Sequence, residues 1–153
     1  MIRLLDNTEN TVATQIYGIF QASYKIEAAL IGIAHFPPLA RTIDDICAAQ
    51  TQFYGYFEAQ ELAAVVEVSI QDTVLSIDSL TVSPSFFRRG IARKLLCFIM
   101  EEYPFSRALV ETAAVNAPAI ALYQKQGFVV FKKWTPDHGI EKVAMSITNT
   151  EHS

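Results

Sequence analysis

The chain is poor in cysteine, in histidine and in positive charge. Its 12 lysines and arginines face 16 aspartates and glutamates, a net charge of −4. That balance argues against a nucleic-acid partner, since phosphate contacts need a basic surface. The two cysteines, Cys47 and Cys97, form neither a disulfide framework nor a C-x-x-C site. Both fall in helical stretches and are expected as small buried apolar residues. His35 and His138 each stand alone, without a second ligand at metal spacing, so no metal is expected. Met1 to Asn10 lacks the apolar core and basic flank of a secretory signal. No apolar run approaches the roughly 20 residues that span a bilayer. These absences point to a cytoplasmic protein with no membrane partner. Repeats, low-complexity tracts and linkers are also missing, so residues 1–153 are expected to form a single domain. With 51% hydrophobic residues, the chain can bury a core without metals or disulfides.

What is present is a regular succession of elements. Met1–Leu5 reads as a short first strand. Val12, Ile16, Ile19, Phe20 and Tyr24 recur at helical spacing within Thr11–Leu30. His35-Phe36-Pro37-Pro38 interrupts that helix, and a second is expected over Leu39–Ala49. Three strand-like runs follow, Thr51–Glu58, Glu61–Ile70 and Thr73–Val82. Ala59-Gln60 and Gln71-Asp72 are short enough to be hairpin turns between them, which predicts an antiparallel meander. The pattern then alternates. Ile91, Leu95, Phe98, Ile99 and Tyr103 suit a helix, Arg107–Ala114 a buried strand and Asn116–Gln126 a helix. Strands near Phe128–Trp134 and Ile140–Ile147 complete the chain. The order implies an α/β or α+β fold of about seven strands with about four helices on its faces.

The stretch from Val82 to Ala92 runs out of a strand directly into an amphipathic helix. A helix N-terminus offers unpaired N–H groups and the positive end of the dipole, and both favour a phosphate. Gly90 lets the backbone approach a ligand, and Arg88, Arg89, Arg93 and Lys94 add positive charge. An ordinary strand-to-helix turn with a solvated basic face fits this stretch equally well. Further along, Asn116 suits an N-cap, Pro118 a first helical turn and Gly127 the position after a helix.

Together the two segments resemble the GNAT superfamily of N-acetyltransferases. The first is similar to that family's [Gln/Arg]-x-x-Gly-x-[Gly/Ala] pyrophosphate loop, occupied here by Phe87, Arg88, Arg89, Gly90, Ile91 and Ala92. The second is similar to its Asn-x-x-Ala-x-x-Leu-Tyr-x-x-x-Gly-Phe helix, matched by Asn116, Ala119, Leu122, Tyr123, Gly127 and Phe128. Phe87 departs from the pattern, because it removes a side-chain donor while leaving the backbone donors.

The resemblance implies a mixed, mostly antiparallel sheet and acetyl-CoA-dependent transfer of an acetyl group to a primary amine by direct attack in a ternary complex. The amine would belong to a small molecule or a peptide N-terminus. It assigns the cofactor arm to Leu80, Thr81, Val82 and Asn116, and the pyrophosphate to Arg88, Arg89, Gly90, Ile91, Ala92 and Arg93. Tyr123 would contact the cofactor and protonate the departing thiolate. Glu111, five residues before Asn116, stands where the ribosomal-protein N-terminal acetyltransferase branch is similar in carrying its base. Asp78 is the rival base, and Glu67 a third. On its strand Glu111 shares a face with Ala113, where partial burial would raise its pKa. The Tyr24–Pro38 region, the Tyr54–Phe57 aromatics and the Trp134–Gly139 loop are left for the acceptor. Those aromatics equally suit core or a homodimer face. A second reading keeps the fold without turnover, as an acyl-CoA-binding or protein-interaction module.

Overall fold

A computed structural model describes residues 1–149. The last four residues of the expected domain lie outside the described residues. The elements are β1 (Ile2–Leu5), α1 (Asn10–Ile31), α2 (Ile43–Ala48), β2 (Gln52–Glu58), β3 (Glu61–Gln71), β4 (Val74–Val82), α3 (Ile91–Glu102), β5 (Arg107–Ala113), α4 (Ala117–Lys125), β6 (Val129–Trp134) and β7 (Lys142–Thr148). The seven strands form one sheet in the order β1-β2-β3-β4-β5-β7-β6. The β4–β5 pair is parallel, whereas β1–β2, β2–β3, β5–β7 and β6–β7 are antiparallel. The mixed, mostly antiparallel sheet with four helices agrees with the sequence expectation.

The described chain divides into two compact units, Met1–Val68 with Ser79–Ile99, and Ser69–Asp78 with residues 100–149. In the first unit the apolar stripe of α1 becomes a core. Ala13, Ile16, Ile19 and Phe20 pack with Ile46 of α2, Phe53 of β2 and Val65 of β3. Burying such a stripe stabilises the helix more than its own propensity does. The helix ends at Gly32, whose φ of 79° is left-handed and whose amide bonds the Ala28 carbonyl at 2.9 Å. A glycine accepts that conformation without a Cβ penalty.

Two boundaries differ from expectation. The helix expected over Leu39–Ala49 is split into a 3-10 turn at Pro37–Ala40 and the six-residue α2. Thr42 is the cause, since it caps α2 in a reciprocal box with Asp45. That box needs extended backbone at Thr42. The buried Asn7 side chain then donates to the carbonyls of Ile46 (2.7 Å) and Ala49 (3.0 Å), closing the far end of this short helix. The second turn is displaced by one residue. Gln71 remains in β3, and the turn falls at Asp72-Thr73, with Asp72 at φ 58°. Aspartate tolerates a left-handed φ better than a β-branched or bulky residue does.

In the second unit, β5 pairs with β7 along its whole length, Arg107↔Thr148 to Ala113↔Lys142. The parallel ladder between β4 and β5 is shorter. It runs from Val74↔Arg107 to Ile77↔Val110 and stops there. Among the described residues Cys47 and Cys97 form no disulfide, and both are half-buried rather than fully buried. Among the described residues no helix is long and apolar enough to cross a membrane.

Candidate active site

In the first unit the decisive segment is the turn between β4 and α3. After a 3-10 turn at Pro84–Phe86, Phe87 is extended, Arg88 takes φ 65° and Gly90 φ 73°. Left-handed residues close together bend backbone N–H groups toward one side, the geometry of an anion-binding concavity. A left-handed arginine is strained, which is common where a loop is shaped for a ligand. The amide of Lys94 bonds the Gly90 carbonyl at 3.2 Å, so Gly90 is the N-cap of α3. The amides of Ile91, Ala92 and Arg93 therefore have no intrahelical acceptor. A glycine N-cap brings no side chain to satisfy them, so they remain available to an anion.

The basic residues of this turn divide into two kinds. Arg89 is engaged. Its guanidinium pairs with Glu58 at 3.1 Å and lies 5.1 Å from the Phe86 ring centre. Lys94 leans on Tyr56, with its Nζ 5.7 Å from the ring centre. Arg88 and Arg93 are exposed, and neither has a hydrogen-bonding or charged partner among the described residues. Phe87, the residue at the departing position, is 41% exposed. Along β4, Thr81 is buried and its hydroxyl reaches the Val65 carbonyl at 3.4 Å. Leu80 and Val82 are half-buried on either side.

The first unit also holds a site that sequence reasoning did not assemble. Glu67, 3% exposed, receives four hydrogen bonds. Arg41 donates through both terminal nitrogens, at 2.6 Å to Oε1 and 2.9 Å to Oε2. Thr51 donates to Oε2 at 2.7 Å and Ser79 to Oε1 at 3.1 Å. Burial alone would raise the carboxyl pKa, but the Arg41, Thr51 and Ser79 bonds together outweigh it and hold the group below its ordinary value. The Tyr24 hydroxyl shares a hydrogen bond with Ser79, and its pKa is pushed well above the usual phenol value by burial, then by Glu27 and Glu67. Arg41 also lies 5.8 Å from the Phe20 ring centre and 5.7 Å from that of Phe53. With its oxygens bonded and ionised, Glu67 is a structural carboxylate rather than a proton acceptor.

In the second unit, Asp78 and Glu111 are the first residues past the last ladder pair, Ile77↔Val110. The two rival carboxylates thus occupy the next register position on neighbouring strands, where the ladder has ended. Both are exposed. Glu111 is not partly buried as its strand face suggested. Its side chain is 55% exposed and pairs with Lys142 at 3.2 Å. The reason is positional, since Ala113 beyond it is covered while Glu111 is not. Asn116 caps α4 as expected, accepting from the Ala119 amide at 3.2 Å. Tyr123 is 5% exposed, and its ring meets Phe128 edge-on at 5.6 Å and 62°. Gly127, at φ 100°, closes the helix, and the Phe128 amide returns to the Tyr123 carbonyl at 3.0 Å. That closure holds the aromatic pair together. His138 accepts from the Ile140 amide at 3.2 Å and so shapes its own loop. Among the described residues, no three His, Cys, Asp or Glu side chains converge on a metal position.

Residues 14–128 match the family model described as the acetyltransferase (GNAT) family. The chain belongs to the GNAT acetyltransferase family. A stretch of 129 residues is 34% identical to the UPF0157 protein YqkA of Bacillus subtilis strain 168, covering 84% of this chain and 38% of that protein. The chain therefore spans well under half the length of that curated relative. Among solved structures, the PaiA N-acetyltransferase of Thermoplasma acidophilum, in complex with coenzyme A, matches with a TM-score of 0.74 at 16% identity, over 97% of this chain and 99% of that one. The ribosomal-protein-S18-alanine N-acetyltransferase of Escherichia coli matches with a TM-score of 0.71 at 20% identity, over 97% and 92%. At these identities the likeness is one of fold.

Proposed function

We propose that this GNAT chain is an acetyl-CoA-dependent N-acetyltransferase that moves the acetyl group to a primary amine by direct attack. The observation that carries the reading is the turn from Arg88 to Arg93, with its two left-handed residues and three uncapped helix amides. Those amides suit a pyrophosphate, and Arg88 and Arg93 add charge beside it. The family resemblance assigns the pantetheine arm to Leu80, Thr81 and Val82. The β4–β5 ladder ends before these residues, which leaves edge N–H groups for the arm's amides and for the thioester carbonyl. Asn116 is assigned a contact to the same arm.

The reaction needs a neutral amine, a polarised carbonyl and a proton for the leaving sulfur. We assign the base to Glu111, through water, and keep Asp78 as the neighbouring alternative. The amine nitrogen attacks the thioester carbon, the C–S bond breaks, and the Tyr123 hydroxyl protonates the thiolate. The acceptor is a small-molecule amine or a peptide N-terminus, acted on in the cytoplasm. The E. coli neighbour's substrate, an alanine of a ribosomal protein, supports the peptide arm of this choice.

Purified protein given acetyl-CoA and a panel of amines and peptides should release CoA thiol in step with acetylated product. Tyr123→Phe should lower kcat by about 100-fold, as for a lost general acid, and weaken CoA binding by much less. Unaltered turnover in that variant removes the acid role. A second reading rests on Phe87, which puts a ring where the family usually places a donor. It makes the chain an acyl-CoA-binding module, and calorimetric binding of CoA without turnover across the panel would favour it.

A further inference from the structure

Three residues of the first unit depart from the most stable local choice, and all three meet at one place. Gly18 lies in the middle of α1, where glycine is less favourable than alanine. A methyl group at Gly18 would meet no atom within 4 Å, so packing within the chain does not require the glycine. At the β2–β3 turn, Ala59 and Gln60 hold left-handed conformations, with φ 48° and 71°. A two-residue hairpin of this kind ordinarily uses Asn-Gly or Asp-Gly. Residues held in sparsely populated backbone regions cluster at ligand-binding places, and local rules are broken most often where function demands it. Gly18, Ala59 and Gln60 all line a single open depression of about 540 Å³.

The chemistry of that depression narrows what it takes. Ile19 and Leu62 supply apolar surface beside Gly18. Gln15, Gln60, Glu61 and Ser83 supply polar groups, with one carboxylate and no cation among the lining residues. Glu61 is exposed, and its side chain has no hydrogen bond or ion pair among the described residues. An unpaired carboxylate in a depression that two glutamines also line suits a cation that also carries an amide. The volume falls in the range of small-molecule sites.

We propose that this depression is a binding site for a small ligand bearing a primary ammonium next to an amide, with a short apolar side chain. Glu61 takes the ammonium, Gln15 and Gln60 pair with the amide, and the apolar part covers Gly18 against Ile19 and Leu62. This chemistry is shared by a free amino-acid amide and by a peptide N-terminus. The site stands apart from acetyl transfer, because it uses none of the residues assigned to the cofactor or to proton transfer.

An amide-resolved NMR titration of the full chain with leucinamide tests it without acetyl-CoA and without turnover. Saturable shifts centred on Gly18, Ala59, Gln60 and Glu61 are expected, with affinity at least five-fold weaker for N-acetyl-leucinamide, in which a neutral acetamide replaces the ammonium. Glu61→Gln should weaken binding by a similar factor. Gly18→Leu should fill the depression and abolish binding while raising Tm, and Gln60→Gly should raise Tm while weakening binding. Tighter binding of alanyl-leucinamide than of leucinamide would identify the peptide source, and equal binding the free amide; either supports the site. The proposal is overturned by shifts that do not saturate, by shifts centred elsewhere, or by unchanged binding in Gly18→Leu. It is also overturned if these residues shift with protein concentration alone, since a second copy would then occupy the depression.

Discussion

Glu67 on β3 and Glu111 on β5 look alike in the sequence, each a carboxylate with apolar or small neighbours inside a strand. Their surroundings are opposite. Glu67 is buried, ionised and bonded by three other side chains. Glu111 stands past the end of a ladder, open to water, with one lysine beside it. The first arrangement fixes structure, because every oxygen is already committed. The second leaves a carboxylate able to exchange a proton with a visiting group. The contrast teaches that burial alone does not mark a catalytic acid or base. Spare hydrogen-bonding capacity decides, and here the exposed residue has it.

Removing one partner from each carboxylate separates these roles. Arg41→Met leaves the buried Glu67 charge without its main partner and should cost about 3 kcal/mol of unfolding free energy, toward the lower end for broken buried pairs because Arg41 is partly exposed. Urea denaturation measures it. The matching change, Lys142→Met beside Glu111, should move stability by less than about 0.5 kcal/mol. Equal losses would erase the distinction.

Activity should divide the other way. Glu111→Gln is expected to lower kcat/KM by about 100-fold, the scale of a lost general base, with the unfolding midpoint unchanged. Asp78→Asn should lower it by less than about 10-fold; the reverse ranking would move the base to Asp78.

Acid provides a smaller but cleaner difference. Glu67 is held below its ordinary pKa in the folded chain, despite the opposing effect of burial. Its contribution to stability is therefore full above the unfolded value, near about 4.3, and is lost as pH falls through the lower folded value. Urea midpoints followed from about pH 6 to about pH 3 should fall in the wild type and in Glu111→Gln, and fall less steeply in Glu67→Gln. The same slope in all three would show that the Glu67 bonds contribute nothing.

Arginines of the phosphate turn give the finest division. Arg88→Ala should weaken CoA binding several-fold, with a reduced salt dependence, since Arg88 is free to meet phosphate. Arg89→Ala should do less, because that guanidinium is already engaged by Glu58.

The strand and helix order was legible from periodicity, and the two motif segments led directly to the loop and to α4. The capping roles of Asn116 and Gly127 were equally readable, because caps are local. Glu67 was visible only as one carboxylate among several. Its partners Arg41, Thr51 and Ser79 lie 26, 16 and 12 residues away along the chain, and no periodicity links them. The split of the second helix failed for a related reason. Thr42 begins a new helix that an apolar count across Leu39–Ala49 overlooks, although the Thr42–Asp45 box was there to be read. The exposure of Glu111 depended on where the β4–β5 ladder stops, which alternation along one strand does not reveal.

The most direct test is the pH dependence of kcat/KM for thiol release from acetyl-CoA, with a peptide amine, in the wild type and in Glu111→Gln. The wild type should lose activity on the acid side, and Glu111→Gln should show a lower rate and a changed acid limb. An acid limb of unchanged shape and height in Glu111→Gln would contradict the assignment of Glu111 as the base.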